Sequence, residues 1–217
     1  MAQKINKGIF ITFEGPEGCG KSTQSRRLAD ELASSGYEVR YTREPGDTVL
    51  GESIRDIILG KDEEWLDEKA ELLLFEADRA QHVAEVIRPA LQKKQIVICD
   101  RYNTATFAYQ GYGLGIDMDQ IKRIDEVATG GLVPDLVILM DLDVKAGLER
   151  AGNRGLADRM EKRDLEFHEK VRKGYLDMAE ADSNRIKVIK VDKGIDETYT
   201  IVKDVVDVAI REHKGTG

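Results

Sequence analysis

Cysteine, proline and tryptophan are scarce in this chain of 217 residues, which has two cysteines, four prolines and one tryptophan. Cys19 and Cys99 are too few for a disulfide scaffold and fit a reducing compartment better. Apolar runs of about 18 residues are missing, and the opening MAQKINKGIF leads straight into a short apolar segment. Neither export nor a membrane span is supported, so we expect a cytoplasmic protein.

An excess of positive charge is also missing. The chain has 33 Lys and Arg against 41 Asp and Glu, a net charge of −8. This balance argues against a general nucleic-acid or anionic-membrane surface, so any phosphate chemistry must use local cations. Because no Pro/Ser-rich linker divides the chain, we expect one domain over residues 1–217.

The most informative stretch is EGPEGCGKST, residues 14–23, which follows an apolar, β-branched run and opens an amphipathic segment. Its spacing is G-x-x-x-x-G-K-S, in which Gly15 and Gly20 let backbone N–H groups converge on one anion. Lys21 would reach the terminal phosphates of a nucleotide, and Ser22 is placed for Mg²⁺. A Gly-rich structural turn is the alternative, but the expected strand and helix around the loop favour a phosphate site.

Two other predicted strands end in charged residues. REPGD, residues 43–47, follows the second strand, and Asp100-Arg101 follows the buried strand at 95–99. In a parallel sheet both would lie beside the phosphate loop. Asp100 would then hold Mg²⁺ through water opposite Ser22, its alternative being an N-cap. For REPGD the alternative is a solvated Pro-Gly turn.

Residues 51–93 carry no strand signal and are predicted to be helical, with core positions at Leu66, Ala70, Leu73 and Ala77. Phe75 and Arg79 then share another face as i, i+4 neighbours, where a ring and a guanidinium could bind a nucleobase. The alternative puts Phe75 in the core and pairs Arg79 with Glu76. The pattern alone favours that alternative.

Two later segments suggest a ligand site. Residues 102–114 are rich in aromatic, amide and hydroxyl side chains and suit the wall of a pocket for a planar polar ligand. Residues 150–163 contain four arginines and two glycines, so they are a candidate lid or a solvated loop. Five strands alternating with helices indicate an α/β fold with a parallel sheet covered on both faces.

Taken together, the motifs resemble those of the thymidylate kinases, a branch of the P-loop nucleoside monophosphate kinases. The resemblance covers nearly the whole chain. It rests on FEGPEGCGKSTQ (13–24), TREPGDT (42–48), LLLFEADRAQH (72–82), DRYNTATFAYQG (100–111), PDLVILMDLD (134–143) and RGLADRMEKRDLEFHEKVRKGY (154–175). It implies a P-loop NTPase fold whose five parallel strands lie in the order 2-3-1-4-5, and a homodimer.

The resemblance also implies transfer of the γ-phosphoryl group of Mg·ATP to the 5′-phosphate of dTMP, giving dTDP. The residues implied for ATP are Gly15, Pro16, Glu17, Gly18, Cys19, Gly20, Lys21, Ser22 and Thr23. Those implied for dTMP are Glu14, Arg43, Phe75, Arg79, Arg101, Thr106, Tyr109 and Gln110. Ser22 and Asp100 would hold Mg²⁺, and the implied catalytic residues are Lys21, Glu44, Asp100, Arg154 and Arg159.

Individual roles follow from the same resemblance. Phe75 would stack on thymine, Arg79 would bond its O4, and Thr106 and Gln110 would line the base pocket. Tyr109 would crowd the position of a ribose 2′-hydroxyl. The acceptor phosphate would be held by Arg43 and Arg101, with Glu14 near the sugar.

Three positions distinguish this chain within the family. Some thymidylate kinases carry an arginine inside the phosphate loop, whereas Gly18 stands there and the arginines lie in the expected lid. Asp47 replaces a usual glycine, and Asp tolerates positive φ better than most residues. Ala105 replaces a usual serine, which removes one hydroxyl near the base; Thr106 could compensate.

Other functions stay open at this point. The chain could phosphorylate another substrate such as dUMP, CMP or a deoxynucleoside. It could instead be a GTP-dependent switch or a noncatalytic nucleotide sensor, although the N-K-x-D guanine signature is missing. A separate hypothesis makes Cys19 an acidic, reactive thiol beside Lys21; the alternative, a small residue filling a turn, is favoured.

Overall fold

Five parallel strands form one sheet in the order β2-β3-β1-β4-β5, as predicted. The coordinates come from a computed structural model, which describes residues 5–60, 66–153 and 159–215. The strands are β1 Ile9–Glu14, β2 Val39–Arg43, β3 Ile96–Asp100, β4 Leu136–Asp141 and β5 Ile186–Lys190. Strands β1, β3 and β4 are buried along their whole length, which explains their continuous apolar runs.

Helices connect the strands and cover the sheet. They are α1 Lys21–Ser34, α2 Val49–Leu59, α3 Glu68–His82, α4 Arg88–Gln92, α5 Asn103–Thr106, α6 Met118–Thr129, α7 Val144–Gly152, α8 Leu165–Ala181 and α9 Ile195–Gly215. Two π-helical segments, Val83–Ile87 and Phe107–Gly113, continue α3 and α5. Among the described residues, no helix is long and apolar enough to cross a membrane.

The core lies on both faces of the sheet because successive side chains of a strand point to opposite sides. Ile9, Ile11 and Phe13 pack in one cluster with apolar residues of α1 and α9. Phe10 belongs to a cluster on the other face, which includes Ile87 of the first π-helical segment. This double cover agrees with the predicted α/β architecture.

The strand register brings three strand ends to one edge. Asp100 at the end of β3 lies opposite both Arg43 of β2 and Phe13 of β1. Glu14, the last residue of β1, and Glu44 and Arg101, which directly follow β2 and β3, therefore emerge side by side. The site is built at this carboxyl edge of the sheet.

The expected core face is wrong over α3 itself, although the predicted core residue Leu66, just before this helix, is buried. Leu73 is 54 % exposed and Ala77 is exposed, whereas the helix buries Glu71, Leu72, Glu76, Asp78, Arg79 and His82. Most of these buried residues are charged. The apolar periodicity of the sequence therefore predicted a buried face that is in fact exposed along most of the helix. Their burial is possible because they pair with one another and with residues from other elements.

Candidate active site

The loop between β1 and α1 depends on glycines that no other residue replaces easily. Gly15, Gly18 and Gly20 have φ values of 136°, 68° and 89°. A Cβ atom on Gly15 would lie 2.3 Å from the carbonyl oxygen of Met140, and one on Gly18 would lie 2.0 Å from that of Gly147. The loop therefore adopts the turn that the G-x-x-x-x-G-K-S spacing predicts.

The contact at Gly18 also bears on where the arginines lie. Any side chain at this position would collide with the backbone of α7 at Gly147, and φ at Gly18 is unfavourable for L-residues. An arginine inside the loop would require α7 to move. The backbone thus gives a physical reason why the cations of this chain lie elsewhere.

Lys21 begins α1 and stands at the mouth of the loop. Its Nζ donates hydrogen bonds to the carbonyl oxygens of Gly15, at 3.0 Å, and Pro16, at 2.8 Å, and only 7 % of the residue is exposed. The ammonium is thus held within the curve of the loop. At this position the ammonium can pair with the negative charge of a phosphate group bound by the loop amides.

Ser22 and Asp100 meet at the same edge, and the Ser22 hydroxyl donates a hydrogen bond to Oδ2 of Asp100. Hydroxyl and carboxylate oxygens are hard ligands of the kind Mg²⁺ takes, with phosphate oxygens and water completing its shell. Within the described ranges, no cluster of three or more His, Cys, Asp or Glu side chains could hold a metal alone. The pair fits a metal shared with a nucleotide.

A cavity of about 350 Å³ opens beside the loop. Its phosphate end is lined by Glu17, Gly18, Gly20, Lys21, Ser22, Thr23 and Asp100. The far end is lined by Arg43, Glu44, Phe75, Arg79, Arg101, Ala105, Thr106, Tyr109 and Gln110. Most of the predicted site residues thus surround one space, although they come from distant parts of the chain. Glu14, Gly15, Pro16, Cys19 and Arg159 are not among the lining residues.

Arg101 joins the phosphate loop to the far end of the cavity. Its φ is 71°, and its Nη2 lies 2.5 Å from Glu17 Oε1. The hydroxyl of Tyr109 donates to the same carboxylate oxygen at 2.6 Å. Burial opposes ionisation of Glu17, but Arg101 and Lys21 outweigh it and lower its pKa to about 2. Glu17 is therefore an anion that holds Arg101 in place.

Glu14 lies beneath this group rather than in the cavity. The residue is fully buried, and its carboxylate accepts hydrogen bonds from the Tyr102 N–H at 2.8 Å and the Tyr175 hydroxyl at 3.1 Å. Burial raises its pKa to about 7, although Arg101 acts in the opposite direction. With both oxygens occupied by the protein, Glu14 supports the edge of the sheet, and the expected contact with the sugar has no geometric support.

The REPGD turn follows β2 and places two charged residues. Arg43, whose side chain is 40 % exposed, pairs with Glu52 of α2 at 3.0 Å and lines the cavity. Asp47 has a φ of 64°, as its position in the turn predicts, and its N–H also donates to Glu52. Glu44 points inward and is 5 % exposed. The turn is thus more than a solvated Pro-Gly bend.

Arg79 is buried in a network of ion pairs. Its Nε donates to Glu44 at 3.0 Å, and its Nη1 donates to Glu76 at 2.5 Å and to Thr106 Oγ1 at 3.0 Å. The sequence alternatives prove compatible, because Arg79 does pair with Glu76 and also lines the cavity. Phe75 is half-buried beside it and faces the cavity. The Arg79 guanidinium lies 5.4 Å from the centroid of the Tyr102 ring, and Arg79 shares the cavity wall with Phe75.

The expected lid is described only in part. Arg154 lies outside the described residues. Arg159 donates through Nε to the carbonyl oxygen of Ile58 at 3.0 Å and through Nη2 to Glu71. Arg163 lies 3.5 Å from the same carboxylate. In this structure Arg159 thus contacts a buried acid of α3 rather than the phosphate loop.

Sequence reasoning missed Glu71 as part of the site, and it named Glu76 only as the partner of Arg79 in the alternative to a base-binding role. Both are buried, and each binds a predicted site residue directly. A glutamate on a helix ordinarily points to solvent, so neither the motif nor the apolar pattern distinguished them.

The hypothesis of a reactive Cys19 is wrong. Both cysteines are free and buried, and Cys19 has no exposed surface. Burial raises the pKa of its thiol even though Lys21 lies nearby. Cys19 packs in the core cluster of β1 and α1, which is the structural alternative.

The parallel sheet, the glycine-dependent loop and the Lys21–Ser22–Asp100 edge together define a P-loop nucleotide-binding protein. The thymidylate kinase family model matches residues 13–201. The chain belongs to the thymidylate kinase family, and it is a phosphotransferase of the kinase type.

Named relatives agree with this assignment. A thymidylate kinase from Exiguobacterium sibiricum is 46 % identical over 199 residues, covering 91 % of this chain and 94 % of the relative. One from Syntrophotalea carbinolica is 50 % identical over 195 residues, covering 87 % and 90 %. The crystal structure of thymidylate kinase from Ehrlichia chaffeensis superposes with a TM-score of 0.78 at 37 % identity, covering 92 % of this chain and 99 % of that one.

Proposed function

We propose that this chain phosphorylates dTMP to dTDP with Mg·ATP as the phosphoryl donor. The observation that carries the proposal is a cavity lined both by phosphate-loop residues and by Phe75 and Arg79. A nucleotide kinase needs both ends in one space, because the acceptor oxygen must attack the γ-phosphorus in line with the departing ADP. Membership of the thymidylate kinase family supports the identity of the acceptor.

At the phosphate end, catalysis is positioning plus electrostatic stabilisation. The loop amides and Lys21 would stabilise the negative charge that spreads over the transferred phosphoryl group. Ser22 and Asp100 would hold Mg²⁺, which supplies positive charge across the phosphate oxygens when bound. Glu44 contributes by fixing Arg79 and the start of the REPGD turn beside the acceptor.

At the acceptor end, Phe75 would stack on the thymine ring. The hydrogen bonds from Arg79 to Glu44, Glu76 and Thr106 are donated by Nε and Nη1. Its Nη2 can therefore donate to O4 of the base. Tyr109 lines the cavity and accepts a hydrogen bond from Arg101 at 3.3 Å, and there it would crowd a ribose 2′-hydroxyl. Arg43 and Arg101 are the cations for the acceptor phosphate.

When the lid closes, its arginines would add the remaining positive charge around the transferred phosphoryl group. Arg159 would leave Glu71 and the carbonyl of Ile58 and reach the transferred phosphoryl, and Arg154 is proposed for the same role. Such a step excludes water from the reaction and supplies charge only when both substrates are bound. The proposal predicts that the arginines contribute to kcat more than to KM for ATP.

We also propose a cytoplasmic homodimer. Val49 at 91 % exposure, Leu73 at 54 % and Val127 at 84 % lie on helices α2, α3 and α6, of which α3 contacts both of the others. Such exposed apolar residues suit an interface between copies. Light scattering should report twice the monomer mass, and Val127→Glu should lower it toward one copy. A monomeric wild-type protein would contradict the dimer.

The test of function is ADP release coupled to each of several acceptors. Purified protein with ATP and Mg²⁺ should release ADP rapidly with dTMP, and more slowly with dUMP, dCMP or thymidine. A noncatalytic sensor would release no ADP above background with any of them. Faster turnover of another acceptor would replace dTMP in the proposal.

A further inference from the structure

We propose that Glu71 is a specificity-determining residue, because it fixes the orientation of the Gln110 side-chain amide toward the base. This inference rests on the proposed function and adds a residue that contacts neither substrate. Glu71 has no exposed surface, and its Oε1 accepts a hydrogen bond from Gln110 Nε2 at 2.7 Å. Its other oxygen, Oε2, pairs with the Arg159 guanidinium and lies 3.5 Å from that of Arg163.

The contact leaves Gln110 one orientation. A carboxylate paired with arginine only accepts hydrogen bonds, so the NH₂ group of the amide must face Glu71. Rotating the amide by half a turn would set its carbonyl oxygen against Glu71 Oε1. Two acceptors in contact in a buried site cost the desolvation of both without a hydrogen bond. Gln110 is itself only 1 % exposed, so water cannot relieve that cost.

The carbonyl oxygen of Gln110 therefore points away from Glu71. Gln110 lines the cavity with Thr106 and Phe75, at the end proposed for the base. The carbonyl is then an acceptor offered to the ring edge of a pyrimidine. It lies on a π-helical segment, Phe107–Gly113, which is a common device for placing a side chain at a site.

An acceptor at this position distinguishes two kinds of pyrimidine. Thymine and uracil both carry a hydrogen on ring N3, which can donate to the Gln110 carbonyl. Cytosine carries a lone pair on N3 and would meet the carbonyl acceptor to acceptor. A site whose buried polar group is left unpaired rejects a substrate much more strongly than one that loses apolar contact. Glu71 would thus make the pocket select for an N3–H group.

The experiment compares kcat/KM for dTMP, dUMP and dCMP in wild-type protein and in Glu71→Gln. A glutamine at position 71 can either donate or accept, so Gln110 can turn its NH₂ group toward N3 of cytosine. The dTMP:dCMP ratio should fall by about ten- to a hundredfold, the range expected when a buried polar mismatch is relieved. The dTMP:dUMP ratio should stay within about twofold, because both bases present N3–H.

The double variant Glu71→Gln/Gln110→Glu exchanges the two groups. Its carboxylate at position 110 accepts from the amide at position 71 and still offers an acceptor to the base. The dTMP:dCMP ratio should return toward the wild-type value, whatever happens to the absolute rate. Arg163→Gln, which removes a cation near the other oxygen of Glu71, should leave the ratio unchanged. Thermal melting of each variant reports whether it folds.

Several outcomes would overturn the role of Glu71. They are an unchanged dTMP:dCMP ratio in folded Glu71→Gln, an equal change in the dTMP:dUMP ratio, and a folded exchange variant that does not regain the preference. If Glu71→Gln does not fold, the exchange variant carries the test, since it keeps one carboxylate and one amide. Failure of wild-type protein to phosphorylate dTMP would refute the proposed function instead, so the two failures are distinguishable.

Discussion

The two ends of the cavity are built by different means. At the phosphate end, the backbone determines the geometry, through three glycines with positive φ and the first turn of α1. At the base end, side chains from separate elements hold one another, as in the contacts of Arg79 with Glu44, Glu76 and Thr106. The phosphate end is thus a local structure, and the base end is a tertiary one.

This difference has an energetic counterpart. The phosphate loop contributes charge and N–H groups for a ligand, so a side chain lost there should lower activity with little loss of stability. The base end buries several ionised groups, and their desolvation must be offset by their pairing. Removal of one partner there leaves an uncompensated charge in the core. Substitutions at the two ends should therefore affect different measurements.

The largest expected effect is at the phosphate end. Lys21→Ala should lower kcat about a thousandfold, or about 4 kcal/mol in the activation barrier, because one preorganised cation is lost from the transferred charge. Coupled ADP release at saturating ATP and dTMP measures it. Lys173→Ala changes an exposed lysine and serves as the control. A kcat within tenfold of wild type would contradict this role of Lys21.

At the base end, Arg79→Met should lower the free energy of unfolding by about 3 kcal/mol, because Glu44 and Glu76 stay buried without their cation. Urea denaturation without nucleotide measures this loss. Lys122→Met breaks an exposed pair with Asp119 and should change stability by less than about 1 kcal/mol. Equal effects of the two variants would show that the buried network does not determine the stability of this end.

The lid arginine Arg159 is held by Glu71 in this structure and is proposed to move to the phosphate end. Arg159→Ala should lower kcat at least about a hundredfold, or about 2.7 kcal/mol, the range for a single donor to transition-state charge. Single-turnover phosphoryl transfer measures it. Arg163→Ala is the matched control, because it also removes a cation from Glu71. The same loss is expected for Arg154→Ala, and near-normal turnover in both Arg154→Ala and Arg159→Ala would refute the lid hypothesis.

The smallest effect concerns the two glutamates beneath Arg101. Burial raises the pKa of Glu14 from 4.5 to about 7, so between these pH values the folded protein retains a proton that the unfolded chain has lost. The stability of wild-type protein should fall as the pH rises through this window. As the pH rises from 6 to 7, the free energy of unfolding of Glu14→Gln should increase by about 1 kcal/mol relative to that of wild-type protein, as measured by urea denaturation.

Glu17→Gln is the control for that experiment. The pKa of Glu17 is lowered to about 2, so its contribution to stability is present above about 4.5 and disappears only as the pH falls toward 2. The difference in free energy of unfolding between this variant and wild-type protein should stay the same from pH 6 to pH 7. A parallel change in both variants would contradict the assigned shifts.

Much of the fold was predictable because its signals are local. The buried strands ending at Asp100 and Asp141 carry continuous apolar runs, and the glycine spacing around Lys21 identifies the loop. Strand order came from family resemblance, and the structure confirms it. The exposed face of α3 was predicted wrongly because Leu73 and Ala77 look like core residues when the partners of Arg79 are not known.

The sequence alone determined the phosphate loop, the parallel sheet and the edge where Ser22 and Asp100 meet. These depend on backbone conformation and on continuous apolar strands buried on both faces, which a short stretch of chain encodes. Tertiary structure decided which acids are buried and what they hold, including Glu14 under Arg101 and Glu71 against Gln110. The physical reason is that a carboxylate is stable in the interior only beside its partners, and those partners come from elements far apart in the chain.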